Sequence, residues 1–288
     1  MIGEAQAVVL GLVQGLTEPF PVSSLGHGVI VPRLLGWNVQ QDDSSFLAFL
    51  VATHLATALV LLGFFWRDWR RIVLGLARSV RHRELRADDA DARLGWLLVV
   101  GTIPVGLVGL VAEHALRSAF ASPAGAAAFL MANGAMLLAA ERLRRRAPGV
   151  ADPGRPVDAR LARLSWRQAT AVGASQAIGL VPGFSRSGAA MSAGLVAGLA
   201  TEDAARLSFL LATPIIGAAA VLKLPQLLGP EGDGIRGPAL LGALCAAATT
   251  YVAVRFLLGF LRTNRLTPFG VYCLGAGAVL SVAFAAGA

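Results

Sequence analysis

The chain has 288 residues, 56% hydrophobic and only 15% charged, with a mean hydropathy of +0.65, which excludes an ordinary soluble protein and places it in a lipid bilayer. A net charge of +8 raises nucleic acid as a partner, yet 24 of the 25 basic residues are arginine and most fall in two short loops, a pattern of membrane topology and not of a nucleic-acid footprint. Cys245 and Cys273 lie in apolar stretches without metal-ligand spacing, which excludes a disulfide scaffold and a zinc site.

Residues 1–12 lack a basic region and include Glu4, so no cleavable signal peptide is expected. The first apolar segment, 5–33, is interrupted by Pro19, Pro21 and a Ser/Gly cluster and does not read as one helix. Runs at 46–65, 94–112 and 124–140 follow, each long enough to cross the ~30 Å hydrocarbon core. A second interrupted segment occupies 168–200, and further runs lie at 206–224, 237–261 and 268–287. Six crossings result. Eight arginines lie from Arg67 to Arg93 and eight more from Glu141 to Arg167, among them Arg142, Arg144, Arg145 and Arg146, which assigns both loops to the cytoplasm. Residues 1–45, 113–123 and 225–236 then face out with one arginine each, Arg33, Arg117 and Arg236. A lipid head-group site is a second reading of the clusters, but orientation accounts for them. Trp66 and Trp69, beside Arg67 and Arg70, read as interfacial anchors.

With these sides fixed, each interrupted segment starts and ends on the same face, so both are expected to be re-entrant. Such backbone is tolerated at membrane depth only when buried in protein or lining a wet cavity. The pattern also repeats. Leu47–Leu62 matches Leu207–Leu222 at seven of sixteen positions with an offset of 160, and Gln14, Ser23 and Gly26 match Gln176, Ser185 and Gly188 with an offset of 162. Three crossings separate the copies. The expected fold is therefore an all-α integral membrane protein: an inverted-topology repeat of about six transmembrane helices plus two re-entrant helical hairpins. It forms one polytopic unit over 1–288, with repeats at about 1–140 and 168–288 and a cytoplasmic linker over 141–167. Such repeats build binding sites near the midplane, with half-helix N-termini aimed at an anion.

The two interruptions carry the chemistry. Gln14 and Glu18 are four residues apart on one helical face. Ser23 and Ser24 follow Pro21 where a new helix can start, and either hydroxyl can cap it. His27 lies about one turn in. A charge at the centre of a span costs about 2 to 3.5 kcal/mol, so Glu18 and His27 should face a polar cavity. The second interruption, Pro182 to Gly188, places Gly183, Ser185, Ser187 and Gly188 around Arg186, whose planar fork matches phosphate. Bringing the turns together gathers Glu18, Ser24, His27 and Arg186 in one pocket. Phosphate chemistry there calls for a divalent cation, Mg2+ or Ca2+, on Glu18 and the Gln14 amide oxygen.

At these residues the sequence resembles the undecaprenyl-diphosphate phosphatase (bacitracin-resistance) family of bacterial membrane hydrolases. The resemblance rests on the (E/Q)xxxE pattern at Gln14 and Glu18, the PxSSxGH block from Pro21 to His27, the Thr53-His54 pair, and the PGxSRSG block from Pro182 to Gly188 followed by Leu207 to Leu211. It implies hydrolysis of the terminal phosphate of a C55 prenyl diphosphate at the outer side of the bacterial cytoplasmic membrane. That reaction recycles the lipid carrier of peptidoglycan synthesis and confers bacitracin resistance. Catalytic roles carry over to Glu18, Ser24, His27 and Arg186; from the chemistry of the two turns, Ser23, Gly26, Gly183, Ser185, Ser187 and Gly188 are expected to bind substrate. Leu25 and Phe184 depart from the family, which usually has Thr there.

Each residue also has a plainer reading. Glu18 can accept N–H bonds at the helix break, Gln14 can bond a neighbouring helix, Ser24 can cap, and Ser185 and Ser187 can do the same. His54 aligns with Pro214 in the repeat and can serve as an interhelical hydrogen-bonding group. Ser24 or a water is the nucleophile, with Glu18 or His27 as base. A homodimer is left open. The competing reading is an inverted-repeat transporter or lipid flippase for a phosphorylated lipid or anion; an acid phosphatase with an SGH block lacks its further Lys/Arg and His-Asp elements here.

Overall fold

A computed structural model describes residues 2–37, 39, 44–120, 122–144 and 156–286, with backbone alone for 44, 45, 113–120, 226 and 231. Every regular element among them is helical. In chain order these are α1 (Glu4–Thr17), α2 (Ser24–Leu34), α3 (Ser44–Phe64), α4 (Trp66–His82), α5 (Ala90–Phe120), α6 (Pro123–Arg144), α7 (Val157–Leu161), α8 (Trp166–Ser175), α9 (Arg186–Val196), α10 (Thr201–Leu228), α11 (Arg236–Leu261) and α12 (Thr267–Ala285). Six helices, α3, α5, α6, α10, α11 and α12, are long and apolar enough to cross a membrane. They coincide with the six expected crossings. Large apolar side chains such as Leu107, Val111, Val279 and Val282 project outward from them, as a lipid-facing surface requires.

The two interrupted segments form pairs of short helices. At ~1.5 Å per residue, α1 with 14 residues and α2, α8 and α9 with 11, 10 and 11 are each too short for the ~30 Å core. Pro19 and Pro21 have no N–H to continue α1, and the chain turns over residues 18–22 before α2 starts. In the second segment a short 3-10 stretch, Gln176–Leu180, ends α8 before the glycine-serine turn.

Close backbone approach seats these half-helices in the bundle. Gly11 and Gly15 of α1 lie on the backbone of Gly242 and Ala246 of α11, where any Cβ would overlap it. Gly173 of α8 meets Gly101 of α5 in the same way. Small residues let membrane helices touch where lipid gives no hydrophobic drive for association. One apolar cluster, including Ile30, Leu61, Leu94, Leu130, Leu210 and Leu257, runs through both halves of the chain.

The expected loops are more ordered than composition suggests. Most of Arg67 to Arg93 is helix α4, α5 continues to Phe120 into the expected outward loop 113–123, and α7 lies in the linker. Arg71 and Arg206 bind Asp68 and Asp158, and Arg160 binds Asp203 through two bonds of 2.7 and 2.6 Å. Burial pushes the Asp158 carboxyl up from its ordinary value, and Arg206 and Arg71 offset part of that. Residues 145–155, with Arg145 and Arg146, and the Arg117 side chain lie outside the described residues.

Candidate active site

The two turns meet and interlock. Ser23 has φ 69° and is the N-cap of α2. Its hydroxyl oxygen accepts the Gly26 N–H at 3.1 Å and, across the interface, the Gly183 N–H at 3.1 Å. Ser185 caps α9 in the same manner by accepting from the Gly188 N–H at 3.0 Å. Asn133 of α6 bridges both turns: its amide donates to the Pro21 carbonyl at 2.9 Å and accepts from the Ser185 N–H at 3.0 Å. Ser187 donates to the Phe20 carbonyl at 2.9 Å.

With the serines before them as caps, Ser24 and Arg186 become the first residues of α2 and α9, equivalent positions in the two turns. The side chains of both helix-start residues converge on one group, at helix N-termini, which suit an anion. Between them lies the Glu18 carboxylate. Its Oε1 accepts from the Arg186 guanidinium at 3.0 Å, and its Oε2 accepts the Ser24 hydroxyl and the Gln14 amide N–H, the latter at 3.2 Å. Arg186 also donates to the Gln176 amide oxygen at 2.9 Å. The matched glutamines thus hold opposite charges, Gln14 the carboxylate and Gln176 the guanidinium. Gln14, Glu18, Ser24 and Gln176 are all buried.

This cluster opens into a cavity of about 540 Å³ between α3, α5 and α10, lined by Glu18, Ser24, His54, Gln176, Ser185 and Arg186 at its polar end. The other walls are apolar, among them Leu50, Val105, Leu110, Ile215 and Ile216, and Lys223, the chain's only lysine, also lines it. Leu25 and Phe184 lie in the wall as well. A water-sized hollow of about 20 Å³ adjoins Gln14 and Ser24.

Three expectations change. His27 does not join the cluster: its Nδ1 bonds to the Ser23 carbonyl at 2.7 Å and its Nε2 to the Tyr272 hydroxyl of α12 at 2.8 Å. His54, read from the sequence as a hydrogen-bonding group between helices, takes that place. Its Nδ1 donates to the Leu50 carbonyl at 2.8 Å, which leaves Nε2 directed at Glu18 Oε2, 3.8 Å away. The reason is that both ring nitrogens of His27, about 60° round α2 from Ser24, are taken by the Ser23 carbonyl and by Tyr272 of α12. Second, Ser23, Gly26, Gly183, Ser187 and Gly188 do not line the cavity, because they are consumed in holding the turns together. Of the expected phosphate contacts, Ser185 alone lines it. Third, Gln14 turns its amide N–H to Glu18, an orientation set by the hydrogen-bond pattern, so its oxygen is not presented beside the carboxylate. Asn133 and Gln176 were not singled out by chemistry; the repeat alone pointed to Gln176.

The interlock makes a direct expectation. A Cβ on Gly26 would lie 2.9 Å from the Gly183 Cα and N, closer than packed atoms tolerate. Gly26→Ala should part the turns, lowering phosphate release at least tenfold and the thermal midpoint in detergent together. Unchanged values of both would show that the turns do not need this contact.

The model for the family described as Bacitracin resistance protein BacA matches residues 7–279. The chain is 50% identical over 289 residues to an undecaprenyl-diphosphatase of Mycolicibacterium paratuberculosis, covering 94% of each protein. It is 44% identical to undecaprenyl-diphosphatase 2 of Frankia alni, covering 97% of each, and 42% identical to an undecaprenyl-diphosphatase of Acidiphilium cryptum, covering 95% of each.

Proposed function

The chain belongs to the Bacitracin resistance protein BacA family, and from that premise we propose how its interlocked turns perform the reaction for which its relatives are named. It is an integral membrane undecaprenyl-diphosphatase, a hydrolase that cleaves the terminal phosphate from a prenyl diphosphate. The observation that carries the mechanism is the Glu18 carboxylate, which accepts the Ser24 hydroxyl on one oxygen and the Arg186 guanidinium on the other at the head of an apolar-walled cavity.

In this reading the prenyl chain lies along the wall formed by α3, α5 and α10, and the diphosphate enters the polar end. Arg186 and the starts of α2 and α9 hold the terminal phosphate oxygens as charge shifts in the transition state. Glu18 takes the Ser24 proton as Oγ bonds to the terminal phosphorus. The anhydride P–O bond breaks, and the prenyl monophosphate leaves with its electron pair. Water then attacks the phosphoserine phosphorus, giving its proton to His54, while the P–Oγ bond breaks, Glu18 returns its proton to the Ser24 oxygen, and inorganic phosphate departs. His54 sits where it can exchange a proton with Glu18. His27 is a positioning residue that ties the start of α2 to α12.

The donor set also fits a hard divalent cation. Among the described residues no group of three His, Cys, Asp or Glu side chains is gathered, but Glu18 with substrate phosphate oxygens is the all-oxygen environment that Mg2+ or Ca2+ takes. Glu18 would hold it, Gln14 joining by its amide oxygen if that amide turned, and the ion would neutralise charge on the leaving phosphate. The arginine distribution supports a cytoplasmic side for the loops 67–93 and 141–167, and in this reading the site opens toward the outer face of the cytoplasmic membrane. The inverted relation of the two halves is supported by the matched caps Ser23 and Ser185 and glutamines Gln14 and Gln176.

Purified protein given undecaprenyl diphosphate should release inorganic phosphate. It should lose at least tenfold with chelator and regain activity with added Mg2+ or Ca2+. Movement of intact substrate across vesicles without phosphate release would favour a transporter instead. The two histidines separate by readout. His54→Ala should lower kcat about 10- to 100-fold at an unchanged thermal midpoint, whereas His27→Ala should lower activity and midpoint together, with Tyr272→Phe reproducing part of the loss. A His54→Ala enzyme with full kcat would remove His54 from proton transfer.

A further inference from the structure

We propose that α4 is an interfacial helix whose arginine edge binds the phosphate head groups of anionic phospholipid. The α3 span ends at Phe64 and the α5 span begins at Ala90; α4 connects the two at the level of the membrane boundary and packs on α5. There Gly75 lies against the Asp91–Ala92 backbone with no room for a Cβ, so one face of the helix is fixed to the protein.

The residues around α4 are sorted by environment. At ~100° per residue, Asp68, Ile72, Gly75 and Ser79 form the buried face. Opposite them, Trp66, Val73, Ala77 and Val80 share a sector of about 60° and are exposed. No element among the described residues covers that stripe. On one flank the arginines occupy the arc between the two faces, with the exposed Leu74 among them, and they are sorted again. Nearest the protein, Arg71 binds Asp68 and Asp158, and Arg78 binds Asp89 at 3.0 Å. Nearest the apolar stripe, Arg70 and Arg81 form no ion pair among the described residues; Arg67, midway in the arc, reaches back over the Trp66 ring at 5.5 Å.

Orientation alone requires arginines in this loop but not in this order. An apolar stripe bordered by three exposed guanidiniums is the pattern of a helix lying in the plane of the interface, its apolar side among the acyl chains and its cations at head-group depth. Each cation near an anionic surface adds to the attraction, and guanidinium matches the phosphodiester geometrically. This inference is independent of the catalytic reading and of which membrane face α4 occupies.

The test uses full-length protein in detergent, titrated with phosphatidylglycerol or phosphatidylcholine, with bound lipids counted by native mass spectrometry. Wild type should retain phosphatidylglycerol in preference, and R67Q/R70Q/R81Q should reduce that preference at least tenfold. R163Q/R167Q/R265Q, which removes the same charge elsewhere, should leave the preference intact, and R67K/R70K/R81K should retain most of it. Phosphate release in mixed micelles of detergent and phosphatidylcholine should be unchanged in every variant, which also reports folding. Equal retention of both lipids by wild type, or equal losses in the two glutamine triples, would overturn the proposal.

Discussion

Ser24→Ala should cut undecaprenyl diphosphate turnover by about 10³-fold or more with the smaller loss of thermal stability, and Ser23→Ala should do the reverse. The adjacent hydroxyls have separate tasks. Ser24 donates to Glu18 and caps nothing. Its removal forfeits one hydrogen bond to a carboxylate, worth about 1.5 to 3 kcal/mol, and takes away the proposed nucleophile. The Ser23 hydroxyl accepts two backbone N–H groups, from Gly26 and Gly183. Ser23→Ala strands both, at about 1 to 3 kcal/mol each for buried donors, and loosens the contact between the turns. Its thermal midpoint should fall by several degrees, with activity following stability. The measurements are phosphate release and thermal unfolding of both variants in one detergent. Full turnover by folded Ser24→Ala would transfer the attack to water, with Glu18 then acting as base toward that water.

Arg186→Ala should be the most damaging change in the chain. In catalysis it removes the guanidinium proposed to meet the terminal phosphate, and losses of about 10³-fold or more are usual when an arginine that stabilises phosphoryl-transfer charge is deleted. In the fold it leaves Glu18 buried without its cation, a cost of about 3 to 5 kcal/mol for a broken buried pair. The two effects separate with a second variant. Glu18→Gln with Arg186→Met removes both charges and should recover much of the stability while remaining inactive. Arg186→Lys keeps the charge but cannot span Glu18 and Gln176 as the fork does, so it should be folded and reduced about 10²-fold. An Arg186→Ala protein that folds and turns over at the wild-type rate would falsify the assignment.

Much of this site was legible in one dimension. Glu18 and Arg186 are charges in apolar surroundings, so each demanded a partner, and the structure makes each the partner of the other. The offset of 162 residues that matched Ser23 with Ser185 also matches Ser24 with Arg186, the first residues of their helices. The histidines were less legible. A position inside the SSxGH block favoured His27 and an alignment with Pro214 disfavoured His54, but neither signal reports which way a ring turns. The glycine-serine blocks were read as phosphate contacts because glycine, serine and free N–H groups suit anions. The same properties suit two turns packed against each other, and that use consumes most of them.

The sequence by itself determined the six spans, the two broken segments, the arginine bias between loops and the polar residues that must meet away from lipid. Each follows from transfer energy, which is a property of a residue and its near neighbours and needs no knowledge of what packs against them. Tertiary structure decided which adjacent serine caps and which faces Glu18, which histidine enters the cavity, and that the arginine loop is a helix with a sorted surface. Successive residues on a helix point ~100° apart. Neighbours of identical chemistry therefore enter different environments, and the helices packed around them fix which one each receives.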